Sequence, residues 1–113
     1  AQVNYSITER DAEERILPLL QDLGIAVIIN RPFMNGEYFR RIGQRHVPDW
    51  AGEFDCRTWA QISLKYILPH PAIPCVLTET TNPPHMAENA EAAFGRMPDS
   101  AQRDRMKAVI AEI

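Results

Sequence analysis

Residues 25–29 form the longest apolar run of the chain, Ile-Ala-Val-Ile-Ile, and the run is rich in β-branched side chains. A short run of this kind is typical of a parallel strand that is covered on both faces. Gly24 stands directly before it and is a natural residue to end a helix, so a helix is expected to lead into the strand. Five apolar residues are too few to cross a membrane, so the run favours a globular α/β protein.

A strand and a helix are predicted before this run. Residues 2–5 favour a strand, with Val3 and Tyr5 on one face. Thr8 is a candidate helix N-cap because acidic residues follow it in the first turn. Pro18 either kinks the helix that follows or marks the first turn of a second short helix. Strand, helix and apolar run together make a β-α-β unit, which implies parallel pairing of the two strands.

The remaining segments continue this alternation. Helices are predicted at residues 37–43, from a cap at either Asp55 or Thr58 to about Leu68, at residues 83–94, and after Asp99-Ser100. A short third strand is predicted at residues 75–78. Residues 44–54 are predicted to be a loop, with Trp50 and Phe54 packed back onto the body of the protein. The sequence therefore predicts an α/β fold with about three parallel strands and flanking helices. Three strands are few for such a sheet, because both of its edges stay open.

Length and charge limit the classes of function. The chain has 113 residues, enough for one compact domain, whereas a complete (β/α)8 barrel takes about 250. A net charge of −3 gives no general attraction for nucleic acid. Three histidines and two cysteines have no spacing typical of zinc ligands, so no metal site is predicted. Cys75 falls within the third predicted strand, where a buried and unreactive thiol is expected.

Ligands of parallel α/β proteins gather at the C-terminal ends of the strands. Residues 78–82 carry three hydroxyls and an amide there and lead into the helix that begins at Pro83, which predicts a cradle for an anion or a nucleotide. The alternative is that Asn82 only caps this helix. Arg31 ends the apolar strand, and either a phosphate or carboxylate contact or a surface ion pair would explain it. No nucleophile–base pair is visible, so the residues alone predict no catalysis.

The order of these segments resembles the aldo-keto reductase family. Residues 2–6 resemble the family's sixth strand, and residues 24–33 resemble its seventh strand and the loop that follows. Residues 59–68 resemble its seventh helix, and residues 76–89 resemble its eighth strand and cofactor-binding helix. The resemblance extends over nearly the whole chain in order, apart from residues 37–56.

This resemblance implies a partial (β/α)8 TIM barrel, with residues 1–113 as the C-terminal part that carries strands six to eight. The intact protein would be an NAD(P)H-dependent oxidoreductase that reduces a small carbonyl compound. The family's catalytic Asp, Tyr, Lys and His lie on earlier strands, so the fragment alone is expected to be inactive. A bacterial enzyme without nucleic-acid or membrane partners is implied, cytoplasmic unless the parent carries a signal for export to the periplasm.

The resemblance also assigns contacts to the nicotinamide half of the cofactor. Gln2 would hydrogen-bond the nicotinamide carboxamide. Arg31 and Phe33 would lie along the pyrophosphate, in the loop after the seventh strand. Asn30 stands in this part of the site where many members have an aromatic residue stacked on the nicotinamide ring.

For the adenosine half, Thr80 would lie near the ribose phosphate, and Glu88 and Asn89 would meet the adenine. Glu79 stands where several members have a lysine that faces the 2′-phosphate, and His85 stands where they have an arginine. A carboxylate disfavours a phosphate but accepts hydrogen bonds from a ribose diol. The cofactor is therefore expected to be NADP or NAD.

A second hypothesis belongs to another class of function. The chain could be a non-catalytic half-barrel that is held together by association with copies of itself. Open strand edges would drive such association. An unrelated nucleotide-binding module would need a glycine-rich phosphate loop, and the sequence contains none.

Overall fold

The computed structural model describes residues 1–71, 73, 75–78 and 83–112, apart from the side chain of Asn35. Its α-helices are α1 Ile16–Asp22, α2 Glu37–Ile42, α3 Trp59–Ile67, α4 Pro83–Glu91 and α5 Ser100–Ala111. Its strands are β1 Gln2–Asn4, β2 Ile28–Asn30 and β3 Cys75–Val76. Short 3-10 helices occupy Asp11–Glu13, Met34–Gly36 and Asp49–Phe54.

The three strands form one sheet in the order β1-β2-β3, and both pairings are parallel. Asn4 stands beside Asn30 at the C-terminal ends of β1 and β2. Since β2 lies between the other two, β1 and β3 are edge strands within the described residues. The predicted parallel α/β arrangement is confirmed.

The two faces of the sheet have different surroundings. Val3, Ile29 and Val76 share one face and pack on the apolar core that the helices cover. Side chains alternate along a strand, so the row formed by Gln2, Ile28 and Cys75 points the other way. Gln2 and Cys75 are exposed in this row, and Ile28 is half-buried.

Two expectations from the sequence are wrong because the helices cover only one face of the sheet. The strand predicted at residues 25–29 is β2, which begins only at Ile28, and Ile25 is exposed. The sheet is thus covered on one face rather than on both within the described chain. Cys75 was expected to be buried, but it is exposed because its row faces away from the helices.

The first predicted helix is divided in two. Thr8 caps no helix, because the hydroxyl of Ser6 accepts the backbone N–H groups of Thr8 and Glu9 at 3.2 and 2.9 Å and holds the chain in a turn. The α-helix α1 starts later, and Pro18 lies in its first turn, where a missing N–H costs no helical hydrogen bond. Of the two alternatives for Pro18, the second short helix is correct.

Most later helix boundaries follow the predicted signals, although α4 ends at Glu91 and not at the predicted Phe94. The Thr58 side chain accepts the Gln61 N–H at 3.2 Å and caps α3. Asp99 and Gln102 form a complete capping box at the start of α5. Gly24 has a φ of +72° after α1, a conformation that favours glycine at the end of a helix. Residues 44–54 are not loop throughout, because Asp49–Phe54 forms a 3-10 helix. Phe54 is fully buried and Trp50 packs beside it, as predicted.

Candidate functional site

A cleft of about 700 Å³ opens at the C-terminal ends of the strands. It is lined by Asn4, Asn30 and Leu77 at the strand ends and by three residues of α4, His85, Glu88 and Asn89. The segment that follows β2 contributes Arg31, Pro32, Phe33, Gly36 and Phe39. Its volume is typical of sites for small molecules and cofactors, which range from about 300 to 1,000 Å³.

Five of the seven residues assigned by the resemblance line this cleft, namely Asn30, Arg31, Phe33, Glu88 and Asn89. Gln2 is exposed at the start of β1 and is not among the residues that line the cleft. Thr80 lies outside the described residues, and so do Glu79 and Asn82. Their predicted roles, including the anion cradle at residues 78–82, stay predictions.

Arg31 occupies the sharp turn where β2 ends. Its φ of +54° lies in the left-handed region, which is uncommon for a residue with a side chain. Its carbonyl oxygen accepts the N–H of Met34 at 3.1 Å, which closes the turn. The side chain is exposed, and no carboxylate of the described chain forms an ion pair with it. This leaves the guanidinium available to an anion in the cleft.

Helix α4 reaches the cleft without an apolar anchor of its own. None of its described residues is buried. The fully buried Gln61 of α3 donates from Nε2 to the Glu88 carbonyl oxygen at 3.0 Å and to the Glu91 Oε2 at 3.1 Å. Arg57 forms an ion pair with the same Glu91 carboxylate and lowers its pKa through a hydrogen bond. Polar contacts from α3 therefore place Glu88 and Asn89 in the cleft.

A second buried polar residue of α3 holds the chain beyond α4. The Lys65 ammonium is fully buried and donates to the carbonyl oxygens of Phe54, Phe94 and Arg96 at 2.7, 2.7 and 2.8 Å. Three acceptors match its three donors, which makes burial of the charge tolerable. Neither Gln61 nor Lys65 was predicted from the sequence. Helical spacing carries no signal for them, since the groups to which they donate lie 11 to 31 residues away in sequence.

Aromatic rings form one wall of the cleft. The ring centroids of Phe33 and Phe39 are 4.8 Å apart, and those of Phe33 and Tyr38 are 6.1 Å apart. Tyr38 is buried and donates its hydroxyl to the Trp59 carbonyl oxygen at 2.7 Å, and burial raises the pKa of this phenol. Phe39 in contrast exposes 42% of its surface beside the cleft.

The other two tyrosines lie in a buried cluster outside the cleft. Tyr5 donates to Glu13 Oε1 at 2.6 Å, and Tyr66 donates to the same oxygen. The Arg103 guanidinium lies 4.4 Å from the centroid of the Tyr66 ring and donates to the Tyr5 hydroxyl at 3.3 Å. Burial, followed by the hydrogen bond to Glu13, raises the pKa of both phenols. None of the three tyrosines of the chain is among the residues that line the cleft.

Among the described residues, no group of three or more His, Cys, Asp or Glu side chains could hold a metal ion. No helix in the described part of the chain has the length and hydropathy needed to cross a membrane.

Solved structures share this fold, although no family model and no curated protein matches the sequence. A thermostable aldo-keto reductase, Tm1743, in complex with the inhibitor epalrestat aligns with a TM-score of 0.71 and 19% identity over 96% of this chain and 38% of its own. The fold is that of part of an aldo-keto reductase barrel. The expected partial (β/α)8 barrel is thereby confirmed.

A second aldo-keto reductase, AKR11C1 from Bacillus halodurans, gives the same result in two forms. Its holo form aligns with a TM-score of 0.69 and its apo form with 0.70, both at 20% identity and over 96% of this chain. The alignments cover 41% and 42% of those chains. The present chain thus spans about two fifths of the length of the aldo-keto reductases it matches.

Proposed function

We propose that this chain is the C-terminal part of an NAD(P)H-dependent aldo-keto reductase and that its cleft holds part of the nicotinamide dinucleotide. One observation carries the proposal: Asn30, Arg31, Phe33, Glu88 and Asn89 line a single cleft at the C-terminal ends of parallel strands. This is where α/β barrels bind their ligands. The likeness in fold to aldo-keto reductases supports the same assignment.

The groups present in the cleft suit a dinucleotide. The exposed guanidinium of Arg31 can pair with the pyrophosphate, and the first turn of α4 approaches the same cleft with His85. Glu88 accepts and Asn89 both donates and accepts hydrogen bonds, which matches the exocyclic amine and ring nitrogens of adenine. When bound, the cofactor supplies the hydride for a carbonyl carbon, and this chain's residues hold and orient the cofactor.

The proton for the carbonyl oxygen would come from outside this chain. The hydroxyls of Tyr5 and Tyr66 are committed to Glu13, and that of Tyr38 to the Trp59 carbonyl. Their raised pKa values disfavour transfer of a proton to a ligand. We therefore propose that residues 1–113 by themselves reduce no carbonyl compound.

The choice between NADP and NAD depends on charges near the adenosine ribose. His85 lines the cleft on α4, one turn before Glu88 and Asn89. An imidazole is a weaker partner for a 2′-phosphate than the guanidinium of an arginine, so either cofactor remains in the proposal. Dissociation constants for NADPH and NADH, measured on one preparation, decide between them. We place the intact enzyme in the cytoplasm, or in the periplasm if the parent is exported.

A specific observation favours the second candidate, a self-associating half-barrel. Ile16 and Leu19 of helix α1 and the Leu23 that caps its end expose 49, 51 and 62% of their surfaces. In the proposed enzyme, further strands and helices would bury this apolar face and the edge strands β1 and β3. In a self-associating module, copies of the chain would bury the same surfaces.

Turnover separates the two candidates. The full-length protein that contains this chain should oxidise NADPH or NADH in the presence of a small aldehyde, as followed by cofactor absorbance. The 113-residue chain alone should show no turnover. Absence of turnover with both cofactors in the full-length protein, together with a multimeric mass by light scattering, would favour the self-associating module.

A further inference from the structure

Phe39 is exposed and also packs in an aromatic cluster. It exposes 42% of its surface, and its ring contacts the rings of Phe33 and Tyr38. Its ring lies 4.8 Å from that of Phe33, at an interplanar angle of 46°. Phe33 in turn stacks on the buried Tyr38, whose hydroxyl is bound to the Trp59 carbonyl. The cleft thus has an aromatic wall, formed by Phe33 and Phe39, that packs on the buried Tyr38.

The wall and three residues of α4 line the same cleft. The bond from Tyr38 to the Trp59 carbonyl fixes α2 against the start of α3. The bond from Gln61 to the Glu88 carbonyl fixes α4 against the same start of α3. Ala60 lies between these two contacts in sequence and lines the cleft with only a methyl group. An apolar surface and the polar groups of α4 therefore face one space.

We propose that the aromatic wall of Phe33 and Phe39 stacks the purine ring of the dinucleotide. A purine offers a π face to the wall and amine and ring nitrogen edges to Glu88 and Asn89. This inference rests on the proposed function and adds Phe39, which the family resemblance does not assign. The nicotinamide ring is the other planar group of the ligand, and its stacking on the wall is an outcome that the test distinguishes.

The test measures binding by isothermal titration on the full-length protein with three probes: the dinucleotide, ADP and nicotinamide mononucleotide. Phe39→Ala removes the ring, and Phe39→Leu keeps an apolar side chain without an aromatic face. Phe94→Ala is the matched control, because Phe94 exposes 73% of its surface and does not line the cleft. Thermal unfolding of each variant shows whether it is folded before it is titrated.

Phe39→Ala should raise the Kd of the dinucleotide and of ADP about tenfold, and Phe39→Leu about threefold, because a base that loses its stacking partner binds more weakly. Nicotinamide mononucleotide and the Phe94→Ala control should bind as in the unchanged protein. The purine assignment is wrong if the folded Phe39→Leu variant binds ADP with the same Kd as the unchanged protein, or if only nicotinamide mononucleotide loses affinity. The proposed function stands in either case. If the unchanged protein binds no dinucleotide, the proposed function fails and the inference fails with it.

Discussion

The side-chain amide of Gln61 donates a hydrogen bond of 3.0 Å to the backbone carbonyl oxygen of Glu88. The same amide donates to Glu91 at 3.1 Å, and its oxygen accepts the Arg57 N–H at 2.7 Å. One buried side chain of α3 thus connects the start of its own helix with the middle and the end of α4. Since α4 has no buried residue in Pro83–Glu91, these bonds determine where its cleft residues lie.

Replacing Gln61 by leucine should weaken both the fold and the site. The substitution keeps the buried volume but leaves the Arg57 N–H and the Glu88 carbonyl without their partner, which costs about 1–3 kcal/mol of unfolding free energy. We expect a rise in the Kd for the dinucleotide as α4 loses its position. Urea denaturation and titration measure the two effects. Gln44→Leu, at an exposed position, is the control, and a Gln61→Leu protein with unchanged Kd would exclude a positioning role.

Lys65→Met should destabilise the protein by about 3 kcal/mol, because three buried carbonyl oxygens lose hydrogen bonds to a charged donor. Lys107→Met is the matched control, since Lys107 lies on α5 and pairs only with the exposed Asp104 of the same helix. Chemical denaturation of both variants measures the difference. Equal stability of the two would show that the Lys65 bonds add nothing.

Stability should depend on Asp55 at acid pH. Hydrogen bonds from the Arg96 side chain and backbone lower the pKa of this carboxyl to about 2. A carboxyl whose pKa is lower in the folded state stabilises the fold above its unfolded pKa of about 4 and loses this contribution as the pH falls to 2. Unfolding free energies measured between pH 5 and 2 should therefore fall less steeply in Asp55→Asn. Identical slopes would contradict this assignment.

The two thiols should differ in reactivity. Cys56 is buried, and burial raises its pKa to about 11, so it should react slowly with iodoacetamide. Cys75 is exposed on the uncovered face of the sheet and should react readily in the 113-residue chain. In the full-length protein that face would line a closed barrel, and Cys75 should be protected. Mass spectrometry of the alkylated proteins measures the extent of labelling at each cysteine. Equal labelling of Cys75 in the 113-residue chain and in the full-length protein would argue against a closed barrel.

Local signals account for what could be predicted from the sequence. Thr58 and Asp99 carry side chains that satisfy the free N–H groups of a helix start. Thr58 is the correct one of the two predicted caps of α3, and the last helix begins after Asp99 as predicted. Thr8 has the same chemistry and fails, because Ser6 binds the neighbouring N–H groups first. A cap can be read from sequence only where no nearer side chain competes for the same backbone groups.

The tertiary contacts of the site could not be predicted in this way. Glu88 and Asn89 were expected to contact a ligand, yet the residue that positions them, Gln61, gave no signal, since its acceptor lies 27 residues away. Exposure of Cys75 depends on which face of the sheet is covered, and the apolar character of its strand does not reveal that. Such features follow from packing between elements rather than from the spacing of residues within one element.

The dinucleotide Kd of Asn89→Ala in the full-length protein tests the central claim most directly. Asn89 lines the cleft, and its loss should weaken binding of NADPH or NADH by about 1–3 kcal/mol, because the base keeps polar groups without a partner. Gln44→Ala, which removes an exposed amide outside the cleft, should leave the Kd unchanged. Equal affinities for both variants and the unchanged protein would contradict the claim that this cleft binds the cofactor.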